Sequence, residues 1–122
     1  MSEYHENWEA LPEDVRDMHR ALKSLQEEIE AVDWYHQRQV LCTDGDLKQI
    51  LIHNRDEEIE HACMALEWLR RHVPAWDKEL RTYLFTEAPV TEVEEKAMGG
   101  AEAEIKRDDD DRCSGLGIGD LK

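Results

Sequence analysis

The chain has 122 residues, 40% of them apolar, and its 30 acidic against 15 basic side chains give a formal net charge of −15. That charge disfavours binding to nucleic acid or to an anionic membrane, and no apolar run approaches the roughly 18 residues that span a bilayer. Three cysteines without a CxxC pair, and no apolar N-terminal signal, indicate a reduced cytoplasmic protein. So small a core favours association of copies.

The first predicted helix runs from about residue 12 to about residue 38. Pro12 followed by two acids is typical of a first helical turn, because acids stabilise the positive end of a helix. Apolar residues then recur at spacings of three and four, which predicts a seam of coiled-coil type. Glu28 lies on the shoulder of this seam, about 80° from its centre. The seam consists of Val15, Met18, Leu22, Leu25, Ile29 and Val32, and His36 continues it.

A turn signal at residues 43–46 separates this helix from a second one. We expect Thr43 to cap the second helix, with Asp46 at its third position in a capping box. Pro74 ends that helix near residue 72. Its apolar residues form two rows about 100° apart, which predicts two partners, the first helix and another subunit.

The composition changes after a short third helix predicted at residues 75–85. We interpret residues 1–94 as a helical half-bundle, residues 95–114 as a disordered acidic linker and residues 115–122 as a separate apolar peptide. In the plainer alternative, the whole C-terminus is a disordered tail.

An acid and a histidine, Glu58 and His61, project from an apolar stripe of the second helix. An ionised carboxylate there is costly unless a cation compensates it, and a metal ion is the simplest such cation. The spacing of these two residues is by itself weak evidence for a metal site, because acids occupy 30 of the 122 positions. Asp33 and His36 have the same spacing. The stripe residues, within about 40° of Glu58, are Leu47, Leu51, Ala62, Ala65 and Leu69.

Glu28 and Glu58 stand 15 residues before and after Thr43. An antiparallel hairpin would place them level, each about 22 Å from the turn. Ferritin-like di-iron bundles use a Glu from each of two helices and a Glu-x-x-His from each of the other two, so this chain carries half a site. A two-fold dimer would supply the other half, and its four carboxylates would match two divalent ions beside neutral histidines. Such ligands suit iron or manganese, and zinc would also bind.

Other charged residues nearby have plainer interpretations. Asp33 and His36 do not share the direction of Glu28, and we expect His36 to pack in the apolar seam. Glu27 and Glu30 point away from Glu28 and, on the residues alone, indicate a solvated acidic face.

Several runs resemble a known family. They are EEIEAVDWY (residues 27–35), HNRDEEIEHA (53–62), LEWLRR (66–71) and RTYLFTE (81–87). Over about residues 19–90 the chain closely resembles the encapsulated ferritins. The final LGIGDL resembles the peptide by which cargo docks inside encapsulin shells, with Asp120 where that peptide more often has serine.

This resemblance implies a ferroxidase that oxidises Fe(II) to Fe(III) with dioxygen. The fold would be all-α, an antiparallel two-helix hairpin plus a short third helix that completes a ferritin-like four-helix bundle by dimerisation. Glu28, Glu58 and His61 of two chains would hold two irons per dimer. Five dimers would form an open ring, so that iron storage falls to a surrounding encapsulin shell in the cytoplasm.

The resemblance also gives roles to residues around the centre. Glu27 and Glu30 would line the route by which metal arrives, and calcium or another divalent ion could also bind there. This role replaces the interpretation of the two residues as a solvated acidic face. Trp34 would shield the centre, and Tyr35 would lie beside it. Two other classes of function remain as alternatives: a non-catalytic helical oligomer that holds zinc or calcium structurally, and an acidic helical adaptor without metal.

Overall fold

The computed structural model describes residues 4–107, with side chains to residue 99. Within that part, every regular element is helical. A short 3-10 turn, Trp8–Ala10, precedes four α-helices: α1 (Glu13–Leu41), α2 (Gly45–His72), α3 (Pro74–Tyr83) and α4 (Val90–Arg107). The predicted all-α class is therefore confirmed. The chain divides into two compact units, and the division falls after Leu69.

In the first unit, α1 and α2 form an antiparallel hairpin. Arg55 of α2 contacts His36 of α1 at 3.1 Å, and His61 of α2 lies 3.7 Å from Glu28 of α1. His36 is nearer the turn than Glu28 on α1, and its partner Arg55 is nearer the turn than His61 on α2, so the two helices run antiparallel. This arrangement confirms the predicted hairpin.

The helix starts differ slightly from the predicted ones. Pro12 is the N-cap of α1 rather than its first residue. Asp44, not Thr43, caps α2, because the N–H of Leu47 donates to Asp44 Oδ2 at 2.9 Å. The capping box predicted for Thr43 is thus wrong. An aspartate carboxylate one position later satisfies the same unpaired N–H groups, and its negative charge is favoured at the helix N-terminus.

The first unit buries little apolar surface. Leu69 is the one large side chain that is fully buried in the described part of the chain. Val15, Leu22 and Ile29 are exposed although they belong to the predicted seam. These three residues follow one another at intervals of seven, so they share one face of α1. That face has no cover within the unit, which supports the expectation of a partner subunit.

In the second unit, an ion-pair cluster fixes the start of α3. Pro74 occupies the first helical position, where its missing N–H costs nothing. Asp77 Oδ1 accepts from Arg70 Nη1 at 2.6 Å and from Arg81 Nε at 2.9 Å. These guanidinium groups, Arg70 foremost, hold the pKa of Asp77 below its usual value.

The end of α3 has unusual backbone geometry. Leu84 follows the helix as its C-cap, and Phe85 has a φ of 63°. A left-handed conformation just past a helix is typical of glycine, since a side chain there is strained. Thr86 Oγ1 donates to the carbonyl oxygen of Tyr83 at 2.8 Å. The Phe85 side chain itself is fully exposed.

The fourth helix differs from our expectation. We predicted a disordered linker over residues 95–114, but α4 covers Val90–Arg107 and packs against α3. The segment is rich in Glu and Ala, which are strong helix formers, and acidic composition alone does not oppose a helix. Residues 108–114 and the predicted peptide 115–122 lie outside the described residues. Among the described helices, none is both long and apolar enough to cross a membrane.

Candidate metal centre

The hairpin brings together the three predicted ligands. Glu28 comes from the middle of α1, and Glu58 and His61 come from consecutive turns of α2. One ligand atom from each residue can be chosen so that all lie within 4.8 Å of one another. His61 Nδ1 is 3.0 Å from Glu58 Oε1 and 3.7 Å from Glu28 Oε2. Because Nδ1 is the nitrogen that faces both carboxylates, it is the atom placed to bind a metal.

The carboxylate of Glu28 has an unsatisfied oxygen. Oε2 is buried and has no hydrogen-bond partner within the described residues. The side chains of Glu28 and Glu58 are 24% and 23% exposed, and that of His61 is 46% exposed. A buried acceptor without a partner costs about 1–3 kcal/mol. A bound cation would remove that cost.

Burial and negative charge control protonation at the centre. Burial raises the pKa of Glu28, and the neighbouring Glu58 raises it further. Burial acts to lower the pKa of His61, but the hydrogen bond to Glu58 and the charges of Glu28 and Glu58 outweigh it and raise that pKa. Both groups therefore keep their protons to a higher pH than the free side chains do, and a divalent ion competes with those protons.

The chemistry of the donor set fits a divalent transition metal. Two carboxylates and one imidazole offer oxygen and nitrogen ligands without thiolate, which suits iron, manganese or zinc. The two cysteines of the described chain, half-buried Cys42 and exposed Cys63, do not belong to the cluster. Three ligands from one chain leave room for ligands from elsewhere.

A shallow pocket on α2 adjoins the centre. Tyr35, His53, Asn54 and Glu57 line it together with Glu58 and His61. Tyr35 therefore shares this pocket with Glu58 and His61, and the Arg38 guanidinium lies 5.3 Å from its ring centroid. Trp34 is half exposed.

Part of this surface was not predicted from the sequence. His53 and Glu57 precede His61 by eight and four residues, which is helical spacing and could have indicated a shared face. A second set of possible ligand atoms, from Glu57, Glu60 and His61, also lies within 4.8 Å. All three residues are exposed, so this set lacks the unsatisfied buried atom that marks the first.

Other predicted residues lie apart from the cluster. Glu27 and Glu30 are exposed on α1 and belong to neither possible ligand set of the described chain. Asp33 accepts a hydrogen bond from Gln37 at 3.1 Å. His36 is exposed and contacts Arg55, so the expectation that it packs in the seam is wrong. The physical reason is the helical period: positions that continue a 3.5-residue repeat turn about 20° per heptad around a straight α-helix, so His36, at the end of the seam, no longer lies on its face.

Comparisons with known proteins relate the chain to ferritin-like proteins. The EncFtn-like family model matches residues 3–87. A "Ferritin-like protein" from Thermotoga maritima is 60% identical over 100 residues, which cover 82% of this chain and 88% of that protein. An "Encapsulated ferritin-like protein" from Rhodospirillum rubrum is 50% identical over 121 residues, 97% of this chain and 86% of that protein.

A solved structure shares both fold and sequence. The crystal structure of protein ne0167 from Nitrosomonas europaea superposes with a TM-score of 0.71 at 58% identity, and the match covers 73% of this chain and 98% of that one. The family match spans well over half of the chain and includes all three residues of the cluster. The chain belongs to the EncFtn-like family.

Proposed function

We propose that this protein is a ferroxidase whose substrate Fe(II) binds at Glu28, Glu58 and His61. The observation that carries the proposal is the buried, unpartnered Oε2 of Glu28, which faces the imidazole and carboxylate of α2. An unsatisfied carboxylate beside two further ligands is the local signature of a cation site. The ferritin-like names of the relatives favour iron as that cation.

The active unit is a dimer in which each chain supplies half of a di-iron centre. One chain brings three ligands, and its exposed face at Val15, Leu22 and Ile29 offers a surface for a second copy. A two-fold axis would double the set to four carboxylates and two imidazoles, as in ferritin-like di-iron bundles. Four carboxylates neutralise two divalent ions. We expect such dimers to form a ring of five.

The residues of the centre have distinct tasks. The carboxylates of Glu28 and Glu58 attract and neutralise the metal pair, and neutral His61 is a terminal ligand through Nδ1. Two Fe(II) ions each give up one electron, and the two electrons with two protons reduce one dioxygen to hydrogen peroxide. Glu27 and Glu30, exposed one residue before and two residues after Glu28, would attract cations toward the centre.

Substitution at the centre tests the proposal. Glu58→Ala and His61→Ala should each slow aerobic Fe(II) oxidation, followed by the absorbance of Fe(III), by at least about tenfold, because each removes a ligand. Glu79→Ala, at an exposed acid of α3, is the matched control and should keep the wild-type rate. Unchanged rates in both centre variants would refute the ferroxidase. Tight metal binding without Fe(II) oxidation would instead favour a structural zinc or calcium protein.

The same proposal includes association with an encapsulin shell in the cytoplasm. It is supported by the name of the Rhodospirillum rubrum relative and by the resemblance of residues 116–121 to a cargo peptide. Deletion of residues 113–122 should abolish co-purification with a co-expressed shell protein and leave Fe(II) oxidation intact. Co-purification that survives the deletion would show that the peptide is not the docking element.

A further inference from the structure

A polar network joins α1 to α2 between the hairpin turn and the metal centre. Arg55 Nη1 lies 3.1 Å from His36 Nδ1, and the side-chain amide of Gln39 lies 3.4 Å from the same nitrogen. Arginine has no acceptor, so Arg55 donates and His36 Nδ1 accepts. The imidazole is therefore neutral, with its proton on Nε2. Arg55 Nε and Nη2 also donate to Asp56 Oδ1, at 3.1 and 3.0 Å.

The network is partly withdrawn from water. The Arg55 side chain is 24% exposed, and Gln39 is buried. His36 itself is exposed, but a hydrogen bond from a charged donor is still stronger than one between neutral groups. These hydrogen bonds also depend on the direction of approach of the two groups, whereas an apolar contact does not.

Apolar packing offers little to fix how α1 and α2 slide against each other. Leu69, the one large side chain fully buried within the described residues, lies near the end of α2 far from the turn. Ile29 and Ile59, the residues that adjoin Glu28 and Glu58 in sequence, are exposed. Other apolar residues of the two helices, such as Leu25, Val32 and Leu51, are only half-buried, so directional polar contacts take a large share in setting the register at the centre.

We propose that the Arg55–His36 pair is a clamp that sets this register and holds Glu58 and His61 opposite Glu28. Arg55 precedes Glu58 by one turn, and His36 follows Glu28 by about 12 Å along α1. A slip of one turn would displace Glu58 by about 5.4 Å and separate the ligands. Neither clamp residue belongs to a possible ligand set among the described residues, so both are positioning residues. The inference rests on the proposed metal centre.

The clamp can be tested by measuring the binding of Co(II) to the full chain by calorimetry. This measurement involves no oxidation by dioxygen. Arg55→Met and His36→Leu should each weaken binding about tenfold, the loss expected for one charged hydrogen bond. His36→Gln should stay within about twofold of wild type, since its amide oxygen can still accept from Arg55. The double variant should bind no more weakly than either single variant. Arg20→Met is the control, because Glu13 and Asp17, its ion-pair partners, lie on its own helix.

Hydrogen exchange of the metal-free protein separates the clamp from the proposed function. The amides of residues 48–58 should exchange faster in Arg55→Met and His36→Leu than in wild type, and His36→Gln should restore slow exchange. Equal Co(II) affinity in both single variants, or failure of His36→Gln to restore binding and exchange, would overturn the clamp. Absence of Fe(II) oxidation by the wild type would refute the ferroxidase instead, whatever the clamp variants show.

Discussion

Glu28 Oε2 and His61 Nδ1 face each other across the hairpin at 3.7 Å, just beyond hydrogen-bond distance. The carboxylate oxygen is buried, and no other described residue satisfies it. The separation leaves space for an ion between a carboxylate oxygen on α1 and an imidazole nitrogen on α2. Protons compete for this position in the metal-free chain: burial and Glu58 raise the pKa of Glu28, and the hydrogen bond to Glu58 with the charges of Glu28 and Glu58 raises the pKa of His61.

The first prediction concerns pH. A group whose folded pKa is raised contributes stability below its unfolded pKa, and that stability is lost as pH rises through the folded pKa. Glu28 and His61 both have raised pKa values, so the metal-free protein should lose thermal stability as pH rises from about 5 to about 8. Added Co(II) should restore more stability at the higher pH, because fewer protons compete. Thermal denaturation with and without metal measures both trends.

A metal-free melting temperature that is flat or rises over this range would contradict the assignment of protons to the centre. His61→Gln, in which one titrating group is absent, should show a weaker dependence on pH than wild type.

The second prediction separates stability from function at Glu28. Glu28→Gln removes a buried charge and gives the side chain an amide that can donate to Glu58. The metal-free variant should melt a few degrees higher than wild type near pH 8, as expected for a gain of about 1 kcal/mol. Fe(II) oxidation should fall by at least about tenfold. Glu30→Gln, at an exposed acid two residues away, is the control for thermal stability and should not change it.

A Glu28→Gln variant that melts lower than wild type would indicate that the carboxylate is stabilised by a partner other than a metal.

The third prediction concerns the uncovered face of α1. Ile29→Glu places a charge in a surface that we propose contacts a second copy, so it should shift native mass spectra toward the monomer and abolish Fe(II) oxidation. Ser24→Glu adds the same charge at an exposed position about 140° away around the helix and should leave assembly unchanged. Wild-type assembly of Ile29→Glu would exclude this face from the interface. Assembly should also increase with metal, because the facing carboxylates repel without it.

The fourth prediction concerns the strained residue after α3. Phe85→Gly should raise the free energy of unfolding of the metal-free chain by up to about 1 kcal/mol, since glycine adopts a φ of 63° without strain. Leu84→Gly is the matched control: Leu84 has an ordinary φ of −71°, so glycine there should only destabilise. Chemical denaturation measures both. A Phe85→Gly variant less stable than wild type would mean that the entropy glycine adds to the unfolded chain outweighs the relief of strain.

Much of the centre could be predicted because helical geometry is regular. The spacing of Glu58 and His61 fixed their common face, and equal distances from the turn placed Glu28 level with Glu58. The N-cap at Asp44 and the exposure of His36 could not be predicted, because each depends on an offset of one residue or a few tens of degrees. The helix over residues 95–107 was missed because acidic composition was weighed above the helix propensity of Glu and Ala.

The shortage of buried side chains in the hairpin has a consequence for how the protein comes into being. In the proposed dimer, a newly made chain would hold half of a core and half of a ligand set, so dilution would withdraw structural support and chemistry together. Protein concentration would then govern when the proposed iron site exists at all, and a lone subunit would oxidise no iron before it had met its copy.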